Sequence, residues 1–161
     1  MADNRKTKQA LADSLKIQLK SNPFSGISIA QICTPCGINR KSFYYHFRDK
    51  YELVTWIFQT EWLDAHPNPF TQNLSALCDY LYKNRDFYRK VLCLKDQNCF
   101  GEYLHQRCRC DFEKSDSFEA TFYADAFLCA IERWLCSRPT QSPQEFASQI
   151  SACIEKDRCL L

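Results

Sequence analysis

Between Lys6 and Asn22 the apolar residues fall at Ala10 or Leu11, Leu15 and Leu19, with Ile17 nearby. This near-helical recurrence predicts an amphipathic helix that stops before Pro23. Ser28 is placed to cap a second, short helix whose apolar face is Ile29, Ile32 and Cys33. Cys36-Gly37-Ile38 follows, where glycine can take the left-handed conformation of a tight interhelical turn. Asn39 can then cap a third helix, with Phe43 and Phe47 four apart on its inner side. A short helix, a glycine turn and another short helix make a helix-turn-helix, whose second helix lies in the major groove of a duplex.

Beyond Lys50 the helical period continues. Asp49 to Asp64 reads as a helix with Leu53, Trp56 and Ile57 on one face, broken by Pro67-Asn68-Pro69. Leu74, Leu77, Cys78 and Leu81 outline a helix ending near Asn84, and Phe87, Tyr88, Val91 and Leu92 outline the next. The segment from Cys99 to Phe112 is aromatic, cysteine-rich and less periodic. From Ser117 to Cys136 runs a long, strongly apolar helix, and Ser142-Pro143-Gln144-Glu145 is a capping box that opens a helix through Phe146, Ile150 and Ile154. With no strand pattern and no internal repeat, the fold class is all-α. A three-helix head over residues 1–50 precedes a helical body over 51–161.

Charge divides at the same place. Met1 to Lys50 carries nine Lys and Arg against three Asp and Glu, a net of +6, and the remainder carries twelve against sixteen, a net of −4. A basic head on an acidic body points to a polyanion at one end only. No apolar run approaches the roughly 20 residues that span a bilayer, and the first residues are polar, unlike a secretory signal. The expected location is therefore the cytoplasm, in association with the nucleoid, with no membrane partner.

The eleven cysteines are odd in number and scattered from position 33 to 159, which argues against a disulfide framework and for thiols in a reducing compartment. Cys78 and Cys129 sit among apolar neighbours, as small hydrophobes do. Cys33 and Cys36 form a C-x-x-C without a second ligand pair at zinc spacing, so no metal site is expected. Cys108 and Cys110, beside His105 and flanked by Arg107 and Arg109, are the better redox or metal pair. The arginines would favour thiolate there, and an exposed helix face is the competing reading.

The outward residues of the third helix suit a duplex. Arg40, Lys41 and Ser42 occupy the first turn, where arginine and lysine can donate to guanine and a small hydroxyl suits bases or phosphate. Tyr44, Tyr45 and His46 lie further along, with phenol and imidazole groups for phosphates. Tyr45 could also meet a thymine methyl, and either tyrosine could instead pack on the first helix. Lys50, at the start of the next helix, is expected to add a positioning phosphate contact.

The run ISIAQICTPCGINRKSFYYHFRDKYELV resembles the DNA-binding head of the TetR/AcrR family of bacterial transcriptional regulators. Ser28, Ile32, Gly37, Ile38, Phe43, Tyr44, His46, Phe47, Lys50 and Leu53 stand in register with the family's capped helix, glycine turn, F-Y-x-H-F and K-x-x-L pattern. The resemblance covers residues 7 to 58, and its details are similar to regulators of dihydroxyacetone kinase operons, among which a cysteine pair at this place is ordinary. Pro35 departs from the pattern and leaves the end of the second helix open. The resemblance implies DNA binding, with Ser28 among the contacts. It also implies a homodimer through the last two helices, 118–137 and 143–157, and control of a palindromic operator by a small-molecule or protein effector. A body of this size leaves little room for a large ligand cavity. No cofactor and no catalytic residue are implied. An enzyme lacks support, because there is no glycine-rich phosphate loop and no cluster of catalytic carboxylates. A redox-sensing or metal-sensing regulator and an adaptor binding acidic partners are the competing functions.

Overall fold

Leu11, Ala12, Leu15 and Leu19 are each buried to 2% exposure or less, and they form the inner stripe of α1 (Ala2–Ser21) in the computed structural model. The structure describes residues 2–68, 70–92, 99–111, 117–137 and 141–158. Ile17 lies 63% exposed, because it stands two residues from both Leu15 and Leu19 and so falls on the opposite side of the helix. A short 3-10 turn (Phe24–Gly26) buries Phe24 and leads to α2 (Ile29–Cys33). Ser28 and Gln31 close a reciprocal capping box at the start of α2. Pro35 sits in a tightened 3-10 turn (Thr34–Cys36), so α2 ends two residues before it. Gly37 then adopts φ 66°, and Asn39 accepts the Ser42 amide at 2.7 Å to start α3 (Arg40–His46). Buried Ser14 donates to the Ile32 carbonyl at 2.7 Å, tying α1 to α2.

A Cβ at Gly37 would meet nothing within 4 Å, so any penalty for a larger residue there is conformational. Gly37→Val should cost roughly 1–2 kcal/mol, the usual penalty for an L side chain in the left-handed region. Gly37→Asn should cost clearly less, because asparagine tolerates that region. Urea unfolding of the two variants checks the difference.

Asp49 accepts the amides of Tyr51 and Glu52 at 2.9 and 2.8 Å, capping α4 (Lys50–Phe58). The chain continues through a wide π-type turn (Gln59–Leu63), and not as the uniform helix that the period predicts. Trp62, in that turn, stacks on Phe58 with centroids 5.5 Å apart. A 3-10 turn (Phe70–Gln72) precedes α5 (Leu74–Lys83), whose Leu74, Leu77, Cys78 and Leu81 are buried. α6 (Arg85–Leu92) follows after Asn84. α7 (Phe100–Arg109) is a helix where the pattern predicts none. Its stripe of Phe100, Leu104 and Cys108 is narrow, and buried Gly101 beside it faces Leu128 and Glu132 of the following helix. α8 (Phe118–Cys136) and α9 (Pro143–Arg158) complete the body, with Ser142 and Glu145 forming the expected capping box. No strand occurs among the described residues, and the fold is all-α.

α7 packs on α8 and α5 on α9, while α1 lies against both α4 and α6. Trp134 stacks between Tyr82 at 5.7 Å and Phe146 at 4.5 Å, joining α8 to α5 and α9. Head and body share one apolar cluster that extends from Leu11 to Ala147. They also share polar links. Lys16 pairs with Glu61, which accepts from Tyr80 at 3.2 Å, and Tyr80 in turn bonds Tyr88 at 2.7 Å. Lys90 donates to the Leu19 carbonyl near the end of α1. No helix among the described residues is long and apolar enough to cross a membrane.

Candidate nucleic-acid interface

The outer face of α3 is displayed by what its inner face buries. Phe43 is fully buried and contacts the Phe47 ring at 5.7 Å, and Phe47 meets Trp56 of α4 at 5.9 Å. Phe47 lies one residue past the helix, in extended backbone, yet remains 2% exposed. Lys8 of α1 sits 5.3 Å from the centre of the Phe47 ring, a cation–π contact that holds the far end of α3 to the first helix.

Arg40 and Lys41 stand exposed on the first turn and form no ion pair with any described residue. Uncompensated cations at a helix start oppose the helix dipole. Their placement costs stability, and an external anion would recover it. Ser42 is half-buried, its amide held by Asn39. Tyr44 and Tyr45 are 51% and 79% exposed, so neither is packed away against α1. His46 stacks edge-on with Tyr45 at 4.9 Å, and burial, reinforced by the charge of Lys8, lowers its pKa below the usual histidine range. At neutral pH it therefore presents an uncharged imidazole. Ser28 is exposed, and its hydroxyl serves the capping box by accepting the Gln31 amide at 3.3 Å.

Lys50, of which a phosphate contact is expected, has its side chain engaged within the protein. Its ammonium donates to the carbonyls of Phe24 at 2.7 Å, Ile27 at 2.9 Å and Ser25 at 3.2 Å, and lies 4.6 Å from the centre of the Phe24 ring. An ammonium has three donors, and three carbonyls take them. The only local hint was a lysine at the first position of a helix, where the dipole disfavours a cation.

The cysteines also separate by environment. Cys36 donates to the carbonyls of Ala10 and Ile32, both at 3.3 Å, and burial raises the pKa of Cys33. This pair packs the helix-turn-helix against α1. Burial, with the nearby carboxylate of Asp111 adding to it, pushes the Cys108 thiol well above its ordinary range. Arg107 offsets little of that, because it is paired with Asp111 at 2.9 Å. The flanking arginines therefore do not make Cys108 a thiolate: desolvation outweighs them. Cys110 is exposed, and Cys136 at the end of α8 is disulfide-bonded. No group of three or more potential metal ligands lies together among the described residues.

Comparison with known proteins agrees with this geometry. The family model described as bacterial regulatory proteins, tetR family, matches residues 17–55, which span the helix-turn-helix. That described as transcriptional regulator C-terminal region matches residues 68–156, more than half of the chain. The chain is 29% identical over 147 residues to the HTH-type dhaKLM operon transcriptional activator DhaS of Lactococcus lactis subsp. lactis (strain IL1403), covering 79% of this chain and 78% of the relative. Among solved structures, the dihydroxyacetone kinase operon activator DhaS superposes with a TM-score of 0.65 at 22% identity, over 94% of this chain and 95% of that one. A TetR transcriptional regulator from Streptococcus agalactiae 2603V gives 0.69 at 17% identity, over 95% and 96%. The head-and-body helical fold and the matched family models together place this chain in the TetR family of transcriptional regulators, similar to DhaS and without an enzyme's role.

Proposed function

We propose that the chain binds a palindromic operator as a homodimer, with residues 1–50 as the reading head and 51–161 as the body that pairs the two copies and receives an effector. The observation that carries the reading is the outer face of α3: two unpaired cations followed by two exposed phenols, on a helix whose inner face is locked by Phe43. Arg40, Lys41 and Ser42 meet base edges in the major groove, while Tyr44, Tyr45, His46 and Ser28 bond phosphates. Pairing through α8 and α9 matches the two-fold symmetry of a palindrome. A cavity of about 260 Å³, lined by Phe70, Leu74, Phe127 and Ile150 among others, is the effector's place in the body. The lactococcal relative is named as an activator. A reporter driven by the bound operator, with and without the regulator, reads the sign of control for this chain.

A salt titration against operator and random duplexes tests the reading. The operator complex should weaken steeply with salt yet keep a large preference over random sequence. Loss of all preference would leave only an acidic-partner adaptor. Arg40→Ala should lower operator affinity about 100- to 10,000-fold, because the homodimer loses one good base contact in each of two half-sites. Its affinity for random DNA should fall far less, and selection of preferred sequences by the variant should show relaxed choice at one base pair of each half-site.

A further inference from the structure

We propose that a cleft between the end of α1 and the start of α6 binds a small organic phosphate at the junction of head and body. The cleft encloses about 590 Å³, a volume suited to a small molecule and too small for a folded partner. Its charge is one-sided. Lys16, Lys20, Lys83, Arg85, Arg89 and Lys90 line it against one carboxylate, Asp86, so six cations and one anion give a local net of +5 on a chain of formal net charge +2. A cleft lined by one sign of charge focuses the field and concentrates the opposite ion. The site shares no residue with the apolar cavity of the body.

Some of these cations are anchored and others are not. Arg85 donates to the Leu135 carbonyl at 2.7 Å and to that of Ser137, Lys90 donates to the Leu19 carbonyl, and Lys16 pairs with Glu61. Carbonyls fix Arg85 and Lys90 without cancelling their charge, so a ligand meets positive groups already in place and loses little to ordering them. Arg89 pairs with Asp86 at 3.6 Å, where water screens the contact. Lys20, in the last turn of α1, and Lys83, in the last turn of α5, are exposed and form no ion pair or hydrogen bond with any described residue. They stand free to close on an anion, one from the head and one from the body. Cations converging from three helices suit phosphate, which offers several acceptor oxygens at once. Leu19, Tyr82 and Phe87 add an apolar side, with Tyr82 42% exposed, and a bare inorganic anion would leave it uncovered. Phosphate groups on an organic body fit both sides.

Titration calorimetry and thermal unfolding of the full chain test this, without DNA and in low salt, with ADP and inorganic pyrophosphate as the probes. ADP at about 100-fold excess over its Kd should raise the melting temperature by roughly 5–10 °C. It should also bind more tightly than pyrophosphate, which lacks the organic part. K20Q/K83Q alters two exposed side chains without partners in the fold, so the chain should stay folded while its ADP affinity falls about 10- to 100-fold. K6Q, which removes a cation at the opposite end of α1, should bind ADP as the native chain does. No binding of either probe by the native chain would overturn the proposal, as would equal affinity for the two probes or native ADP affinity in K20Q/K83Q. Weaker operator binding by K20Q/K83Q, with no ADP bound by the native chain, would assign the cleft to the DNA backbone instead.

Discussion

An F122D chain should run as a monomer where the native chain runs as a dimer, and should bind its operator about 100-fold less tightly or worse, the avidity that linking two modules supplies. Phe122 is 55% exposed and Phe118 is 85% exposed, their rings stacked 6.3 Å apart on the outer side of α8. Ala126 and Cys129, also exposed, continue that side toward the end of the helix. Exposed aromatic clusters on a helix mark interaction surfaces. In a two-fold interface one substitution introduces two carboxylates, each requiring desolvation without a partner. The inner side of the same helix, Ala120, Ala124, Ile131 and Leu135, is untouched, so the protomer should stay folded. Sedimentation and a gel-shift titration read the two effects. A dimeric F122D with native operator affinity would place the interface elsewhere.

Phe58→Ala should cost about 4 kcal/mol, the middle of the range for deleting a buried aromatic ring, and lower the melting temperature by roughly 8–16 °C. Phe58 is fully buried at the end of α4. Its centroid lies 5.2 Å from Phe100, 5.5 Å from Trp62, 6.0 Å from Tyr80, 6.1 Å from Tyr88, 6.2 Å from Phe70 and 6.4 Å from Tyr103. Five of these six pairs are edge-to-face, the arrangement that adds to simple area burial. One ring thus holds α4, α5, α6 and α7 around a common centre, and removing it leaves a void that rigid aromatic neighbours cannot fill. Calorimetry checks the magnitude. A shift of only a degree or two would mean that the neighbouring rings repack.

Much of the head was legible because its chemistry is local. Ser28 with Gln31 and Asn39 with Ser42 each act across three residues, Gly37 acts through its own backbone, and in the body the Ser142–Glu145 capping box is local in the same way. α7 was hidden because glycine and cysteine carry part of its inward face, and neither reads as a strong apolar signal. The carbonyls that surround the Lys50 ammonium were not legible, because they lie 23 to 26 residues earlier in the chain, beyond any local pattern. The environment of Cys108 was hidden for a related reason. Its flanking arginines are visible in the sequence, but the burial that outweighs them is a tertiary property.

The central claim is that α3 reads DNA, and selection of genomic fragments by the purified protein, followed by sequencing, tests it most directly. Recovery of a two-fold-symmetric sequence with half-sites about one helical turn or more apart is expected, weakened or altered for Arg40→Ala. Recovery of no sequence above bulk DNA by the native chain would contradict it.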